Sequence, residues 1–208
     1  MKKEYIKTIK SYDNTAMDYD RKTMEIDMSE LIDRFCSLLP GKKVLDLGCG
    51  PGRDMTSFVS KGFDVTGLDA SKGMLKLVEK NINGKAKLVQ GNFLGLPFGS
   101  SEFDGIWCNA SLIHLSKDDL PKALGEVFRV LKSRGIFYAS VKEGKEEGIV
   151  NDGRYGGQEK FFAYFSVKEF ENFLKDAGFN VLAIETRLSE QQKEYDKTPR
   201  IIAFCRKP

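Results

Sequence analysis

Three alternate glycines close a short apolar run, Val44-Leu45-Asp46-Leu47-Gly48-Cys49-Gly50-Pro51-Gly52, and a second run, Phe63 to Leu68, ends in Asp69, 17 residues beyond Gly52. A strand, a glycine turn, a helix, a strand and a carboxylate form the arrangement that an adenosine-bearing cofactor needs. The glycines let the backbone come close to the ligand, and the acid accepts hydrogen bonds from ribose hydroxyls. Dinucleotide folds use G-x-G-x-x-G, but position 53 is Arg and the third glycine arrives one residue early. Pro51 also lacks the backbone N–H that would face a pyrophosphate. Both features speak against a nicotinamide dinucleotide.

Further segments stand in a fixed order behind this turn. They are Gln90-Gly91-Asn92-Phe93 with Leu96-Pro97-Phe98, then Phe103 to Trp107 leading to Ser111-Leu112-Ile113-His114-Leu115, then Val127 to Lys132 with Gly135-Ile136-Phe137. Taken together, residues 40 to 205 resemble the class I S-adenosylmethionine-dependent methyltransferases of the small, single-domain bacterial type. The resemblance implies that cofactor and a Rossmann-like α/β fold. It makes Asp46 to Gly52 the first motif, with Gly48, Cys49 and Gly50 beneath the methionine portion. It also makes Asp69, followed by Ala70, the ribose acid. Asn92 stands where many relatives carry Asp; its amide can donate to a ring nitrogen and accept from an exocyclic amine. Phe93 is expected against the adenine face, and Asn109 and Ala110 beside the reactive methyl.

The remaining candidates each carry two readings. Asp46 either faces the cofactor's ammonium or holds turn amides. Asp69 is a ribose ligand or an N-cap. Arg53-Asp54 fits a solvated helix start as well as any role. His114, the single histidine, is a general base near the acceptor or a loop residue bonded to backbone. Tyr12 and Tyr19, with Asp13 and Asp18 between them, belong to a segment that folds over the cofactor as a lid in similar proteins; the alternative is a mobile helix with surface tyrosines. Arg154, Tyr155, Phe161, Phe162 and Tyr164 form an acceptor wall, or else a hairpin whose aromatics cover the sheet.

The elements that must position these residues alternate along the chain, the pattern of a doubly wound sheet. Strands are expected at about 43–48, 63–68, 86–90, 103–109, 135–141, 179–187 and 199–206, and helices at about 52–61, 71–82, 117–132 and 166–177. The last two strands are joined by a loop, too short a link for a parallel crossover, so the final strand is expected to be antiparallel. The fold class is therefore α/β: a seven-stranded, mostly parallel sheet with helices on both faces and an antiparallel last strand. One domain is expected over 1–208. It comprises an N-terminal helical lid (1–39), a cofactor half (40–141), a charged and glycine-rich insert turning aromatic (142–165), and a C-terminal helix with a strand pair (166–208).

Composition narrows the partners. Lys and Arg number 33 against 30 Asp and Glu, without long runs, so no basic stripe marks a nucleic-acid surface. No run approaches the ~18 apolar residues of a membrane span, and Met1-Lys2-Lys3-Glu4-Tyr5 leads into no signal peptide. Four cysteines without C-x-x-C spacing read as reduced thiols in a cytoplasmic protein, and one histidine argues against a histidine metal site. The expected function is methyl transfer from S-adenosylmethionine to a small-molecule acceptor. The alternatives are a tRNA or protein methyltransferase and a non-catalytic cofactor-binding module. Acceptor and oligomeric state are not written in these features.

Overall fold

The computed structural model describes residues 2–155, 158–188 and 196–208. Two helices open the chain, α1 (Lys3–Thr23) and α2 (Ser29–Leu38). They are followed by β1 (Lys43–Leu47), α3 (Arg53–Ser60), β2 (Asp64–Asp69), α4 (Lys72–Ile82), β3 (Lys87–Gln90), β4 (Phe103–Asn109), α5 (Leu120–Val130) and β5 (Leu131–Glu143). A hairpin, β6 (Glu147–Asp152) and β7 (Gln158–Phe165), precedes α6 (Val167–Asp176), β8 (Asn180–Arg187) and β9 (Arg200–Arg206). The loop expected between the last two strands lies largely outside the described residues.

Strand pairing gives the order β3-β2-β1-β4-β5-β9-β8, parallel from β3 through β5. The last strand, β9, runs antiparallel to both neighbours, β5 and β8, as the short connection requires. Two strands exceed the expected seven, and both come from the insert. They pair with each other, and β7 adds in parallel to the end of β5 through Lys142 with Tyr164 and Glu143 with Phe165. The fifth strand is accordingly longer than its apolar run, reaching Glu143.

Local chemistry sets the boundaries. The N-cap of α4 is Ser71, whose side chain accepts from the Met74 N–H, and Asn83 ends that helix in the left-handed region. Ser166 and Glu169 form a capping box on α6. Alternation along the strands sends side chains to opposite faces. Leu45, Ile106, Phe137 and Cys108 join one apolar layer with α5 and α6 residues, while Val44, Trp107, Ile136 and Tyr138 join another with Phe35 of α2 and Phe58 of α3. Trp107 stacks on Tyr138 with ring centroids 3.7 Å apart. The central strand β1 has β2 on one side and β4 on the other, so the chain order reverses there. A crevice opens at the carboxyl ends of such strands.

Candidate active site

That crevice is a cleft whose empty space, open solvent at its mouth included, is about 1090 Å³. Its floor is the turn between β1 and α3. Gly48 has φ +79°, and a Cβ there would run into the Ser111 hydroxyl, so glycine is required on both counts. The Gly48 and Cys49 N–H groups donate to the Leu68 carbonyl at 2.7 and 3.1 Å, which fixes the turn to the end of β2.

Asp69 closes β2 and binds the turn from the other side. Its Oδ2 accepts from the Gly50 N–H at 2.9 Å and its Oδ1 from the Ser71 N–H at 2.8 Å. Each oxygen keeps a further lone pair for a ligand hydroxyl. Capping of α4 falls to Ser71, so Asp69 is not that helix's N-cap. Asp46 holds no turn amide. It is 2% exposed, and its Oδ2 is buried with no hydrogen-bond partner among the described residues. Burial, then the nearby Asp54 carboxylate, pushes its pKa well above the usual range. A buried acid at a cleft wall with an unused oxygen is a fitting partner for a cationic group. Burial likewise pushes the Cys49 thiol up, beside Asp69 and Asp46.

The opposite wall comes from β4 and the segments after β3. Asn92 makes an Asx turn, its Oδ1 accepting from the Leu94 N–H at 2.9 Å, and the Phe93 ring edge approaches Gly48. Ala110 sits at φ +55°, held there by bonds from its N–H to the Ser140 carbonyl and hydroxyl at 3.1 and 2.9 Å. A non-glycine residue in this region beside a cleft marks a place where surroundings override local preference. Asn109 donates to Asp54 at 3.1 Å and accepts from Ser140 at 2.6 Å.

Helix α1 roofs the cleft with a stripe at helical spacing: Tyr5, Thr8, Tyr12, Tyr19 and Thr23. Asp13 anchors it by accepting from the Ser71 hydroxyl at 2.6 Å and the Gly73 N–H at 2.9 Å, at the start of α4. The Tyr12 and Tyr19 rings meet edge to face at 5.6 Å, and Tyr12 reaches His114. These tyrosines therefore face inward. Asp46, Gly48, Cys49, Gly50, Asp69, Ala70, Asn92, Phe93, Asn109, Tyr12, Tyr19 and His114 all line one cleft.

Among the described residues, Arg154, Phe161, Phe162 and Tyr164 of the insert do not. Phe161 and Phe162 are buried beneath His114 and α1, the Phe161 carbonyl facing the imidazole at 2.8 Å. Arg154 forks onto Asp152 at 2.6 and 2.9 Å and reaches Asp196 at 2.6 Å. Tyr164 packs near Lys142, and the side chain of Tyr155 lies outside the described residues. Pairing of β7 with β5 makes the strand that carries Phe161, Phe162 and Tyr164 an extension of the sheet, so these three back the cleft wall without forming it. Asp54 is the residue that sequence reasoning undervalued. It is 6% exposed and takes bonds from Arg53, Trp107 and Asn109. Its only sequence signal is its place directly behind the glycine turn.

Residues 44–135 match the methyltransferase domain family. An uncharacterised methyltransferase of Synechocystis sp. is 40% identical over 101 residues, 49% of this chain and 47% of that protein. The chain thus carries a methyltransferase domain over residues 44–135, less than half of its length. It spans about half the length, or less, of the curated relatives it matches in this way. Solved methyltransferases share the fold. One from Methanosarcina mazei superposes with a TM-score of 0.76 at 23% identity, covering 88% of this chain and 99% of its own. The 1,6-didemethyltoxoflavin-N1-methyltransferase of Burkholderia thailandensis, solved with 1,6-didemethyltoxoflavin and S-adenosylhomocysteine bound, superposes at 0.73 and 21% identity, covering 96% of this chain and 87% of its own.

Proposed function

We propose that this chain transfers the methyl group of S-adenosylmethionine to a small-molecule acceptor. The observation that carries the reading is the unpartnered Oδ2 of Asp46 in the same cleft as Asp69, beneath a tyrosine-bearing roof. In this reading Asp69 takes the ribose hydroxyls and Asp46 the methionine ammonium. Gly48, Cys49, Gly50 and Ala70 let the ligand lie close to backbone, Asn92 and Phe93 receive the adenine, and Asn109 flanks the methyl. Bound S-adenosylmethionine supplies a methyl already activated on a sulfonium, so the protein's work is alignment and exclusion of water. Tyr12 and Tyr19 offer ring faces and hydroxyls to that positive charge, worth about 0.5–2 kcal/mol by cation–π attraction.

A small acceptor suits a cleft roofed by α1. The Burkholderia enzyme, solved with 1,6-didemethyltoxoflavin bound, supports this reading by analogy of fold. A cytoplasmic place of action belongs to it as well, supported by four free cysteines. Among the described residues no helix is long and apolar enough to cross a membrane. The test is transfer of labelled methyl from S-adenosylmethionine into a cell extract split by size. Label in the low-mass fraction supports the proposal; label confined to RNA or protein favours a macromolecular acceptor.

A further inference from the structure

Helix α1 carries the cleft past the place where Asp69 ends β2. Its last turn lies at the glycine turn, where Arg53 Nη1 donates to the Thr23 carbonyl at 3.4 Å, and Asp13 sits over the start of α4. The residues before Asp13 lead away from that point at about 1.5 Å each. Ile9 lies one turn back and Tyr5 two, and both line the cleft with Thr8, His114 and Leu115. The polar atoms at this end are bonded inside the protein. The Tyr5 hydroxyl donates to Asp119, accepts from the Ser116 N–H at 3.0 Å and meets the Ser116 hydroxyl at 2.9 Å. Thr8 Oγ1 donates to the Glu4 carbonyl and accepts from the Phe161 N–H, both at 2.9 Å. The Phe161 carbonyl lies 2.8 Å from His114 Nδ1 and can only accept, so Nδ1 carries the hydrogen. Nε2 lies 2.8 Å from the Tyr12 hydroxyl. Burial, with Lys160, Lys142 and Arg154 nearby, pushes the imidazole pKa down to about 3 and keeps the ring neutral.

What this end offers a guest is therefore carbon: the Ile9 and Leu115 side chains and the Tyr5 ring, which meets Phe161 edge to face with centroids 6.1 Å apart. The charged residues that line the cleft, Asp46, Arg53, Asp54 and Asp69, stand at its other end, around the glycine turn. A charged group against Ile9 would give up water and find no opposite charge among the described residues of this wall, whereas an apolar one gains by leaving water. We propose that this end of the cleft receives the uncharged, apolar body of the methyl acceptor, with Ile9 selecting against charge. This rests on the methyltransferase reading and names the acceptor class within it. His114 is then a strut: it ties Tyr12 of α1 to the backbone of β7 and holds the wall in place.

The chain has one histidine, so nitrogen-15 labelling of histidine reports this end of the cleft alone. The probes are 2-naphthol, uncharged at neutral pH, and 2-naphthoate, which has the same rings but is ionised. Each is titrated by calorimetry into the full chain saturated with S-adenosylhomocysteine. 2-Naphthol is expected to bind, to shift the His114 signals, and to bind at least about tenfold more tightly than 2-naphthoate. The imidazole is expected to keep its Nδ1 hydrogen and stay neutral from about pH 8 down to about pH 5. Ile9→Ala, which keeps a good helix former in α1, should weaken 2-naphthol by about tenfold, and Ile9→Lys should narrow or reverse the preference. Equal or tighter binding of 2-naphthoate overturns the proposal, as does no binding of 2-naphthol. A histidine that titrates in that pH range overturns it too, as do Ile9 variants that bind both probes as the wild type does. Failure of the wild type to bind S-adenosylhomocysteine sinks the methyltransferase reading itself and this proposal with it. A missing probe preference in a chain that holds S-adenosylhomocysteine overturns this proposal alone.

Discussion

The Asp54 carboxylate accepts the indole N–H of Trp107 at 2.8 Å, tying the glycine turn to the middle strand of the sheet. The same oxygen takes the Asn109 amide at 3.1 Å, and Arg53 bonds both oxygens at 2.6 and 3.0 Å. Burial alone would raise this carboxyl. The Arg53 charge and the donors from Arg53, Trp107 and Asn109 outweigh it and hold the pKa below the usual range. Asp54 thus stays ionised while Asp46 is pushed the other way, so two neighbouring acids are set for different tasks.

Asp54→Ala removes the acceptor of the buried Trp107 indole N–H and the ion-pair partner of the half-buried Arg53 guanidinium. Loss of one partner of such a pair costs about 3–5 kcal/mol, a fall in Tm of about 6–20 °C at this size. Urea unfolding checks it. Asp54→Asn keeps an acceptor for the indole and should lose less; an Ala variant as stable as the wild type would contradict the role.

Asp69→Ala should weaken cofactor binding by about 1.5–3 kcal/mol, the scale of a hydrogen bond to a charged group. The Gly50 and Ser71 amides lose their acceptor in the same step. Calorimetry with S-adenosylhomocysteine reads this directly, and an unchanged affinity would remove Asp69 from the ribose site.

Asp46 gives the site a pH dependence. Its pKa is raised in the folded chain, so the protonated form is favoured and ionisation weakens the empty fold as pH rises above the ordinary carboxylate range. A ligand ammonium favours the ionised form. Affinity for S-adenosylhomocysteine should therefore fall as pH drops through the raised pKa, and binding below it should release a proton. Calorimetry in buffers of different ionisation enthalpy measures that release, and Asp46→Asn should abolish it.

The hairpin depends on a buried charge pair. Lys160 is 0% exposed and reaches Asp152 at 3.0 Å. Burial would raise Asp152, but Arg154 and Lys160 hold it down at about 2. Its stabilising contribution is present above the unfolded carboxylate pKa and is lost as pH falls toward 2. Asp152→Ala should cost about 3–5 kcal/mol and speed amide exchange across residues 147–165. Unaltered exchange there would contradict the pair's role.

Much of this was legible in the residues. The glycine turn, Asp69 and the alternation of strands and helices with an antiparallel last strand follow from short apolar runs and the chemistry that interrupts them. The Asn83 and Ser166 boundaries follow from capping rules. Asp54 was not legible, because an acid at a helix start ordinarily meets water. It is buried only because Trp107, 53 residues away, arrives on a neighbouring strand. The roof was half legible. Tyr12 and Tyr19 stood out, but Thr8 and Asp13 carry no apolar signal, and their roles depend on Phe161 and on the start of α4. The aromatic insert admitted two readings, and pairing between Tyr164 and Lys142 favours the one that covers the sheet.

Calorimetry of the purified chain against S-adenosylmethionine and, separately, NAD tests the central claim most directly. The account predicts binding of S-adenosylmethionine in the micromolar range and no binding of NAD, because Arg53 and Pro51 stand where a dinucleotide turn needs other residues. Binding of NAD alone would contradict it.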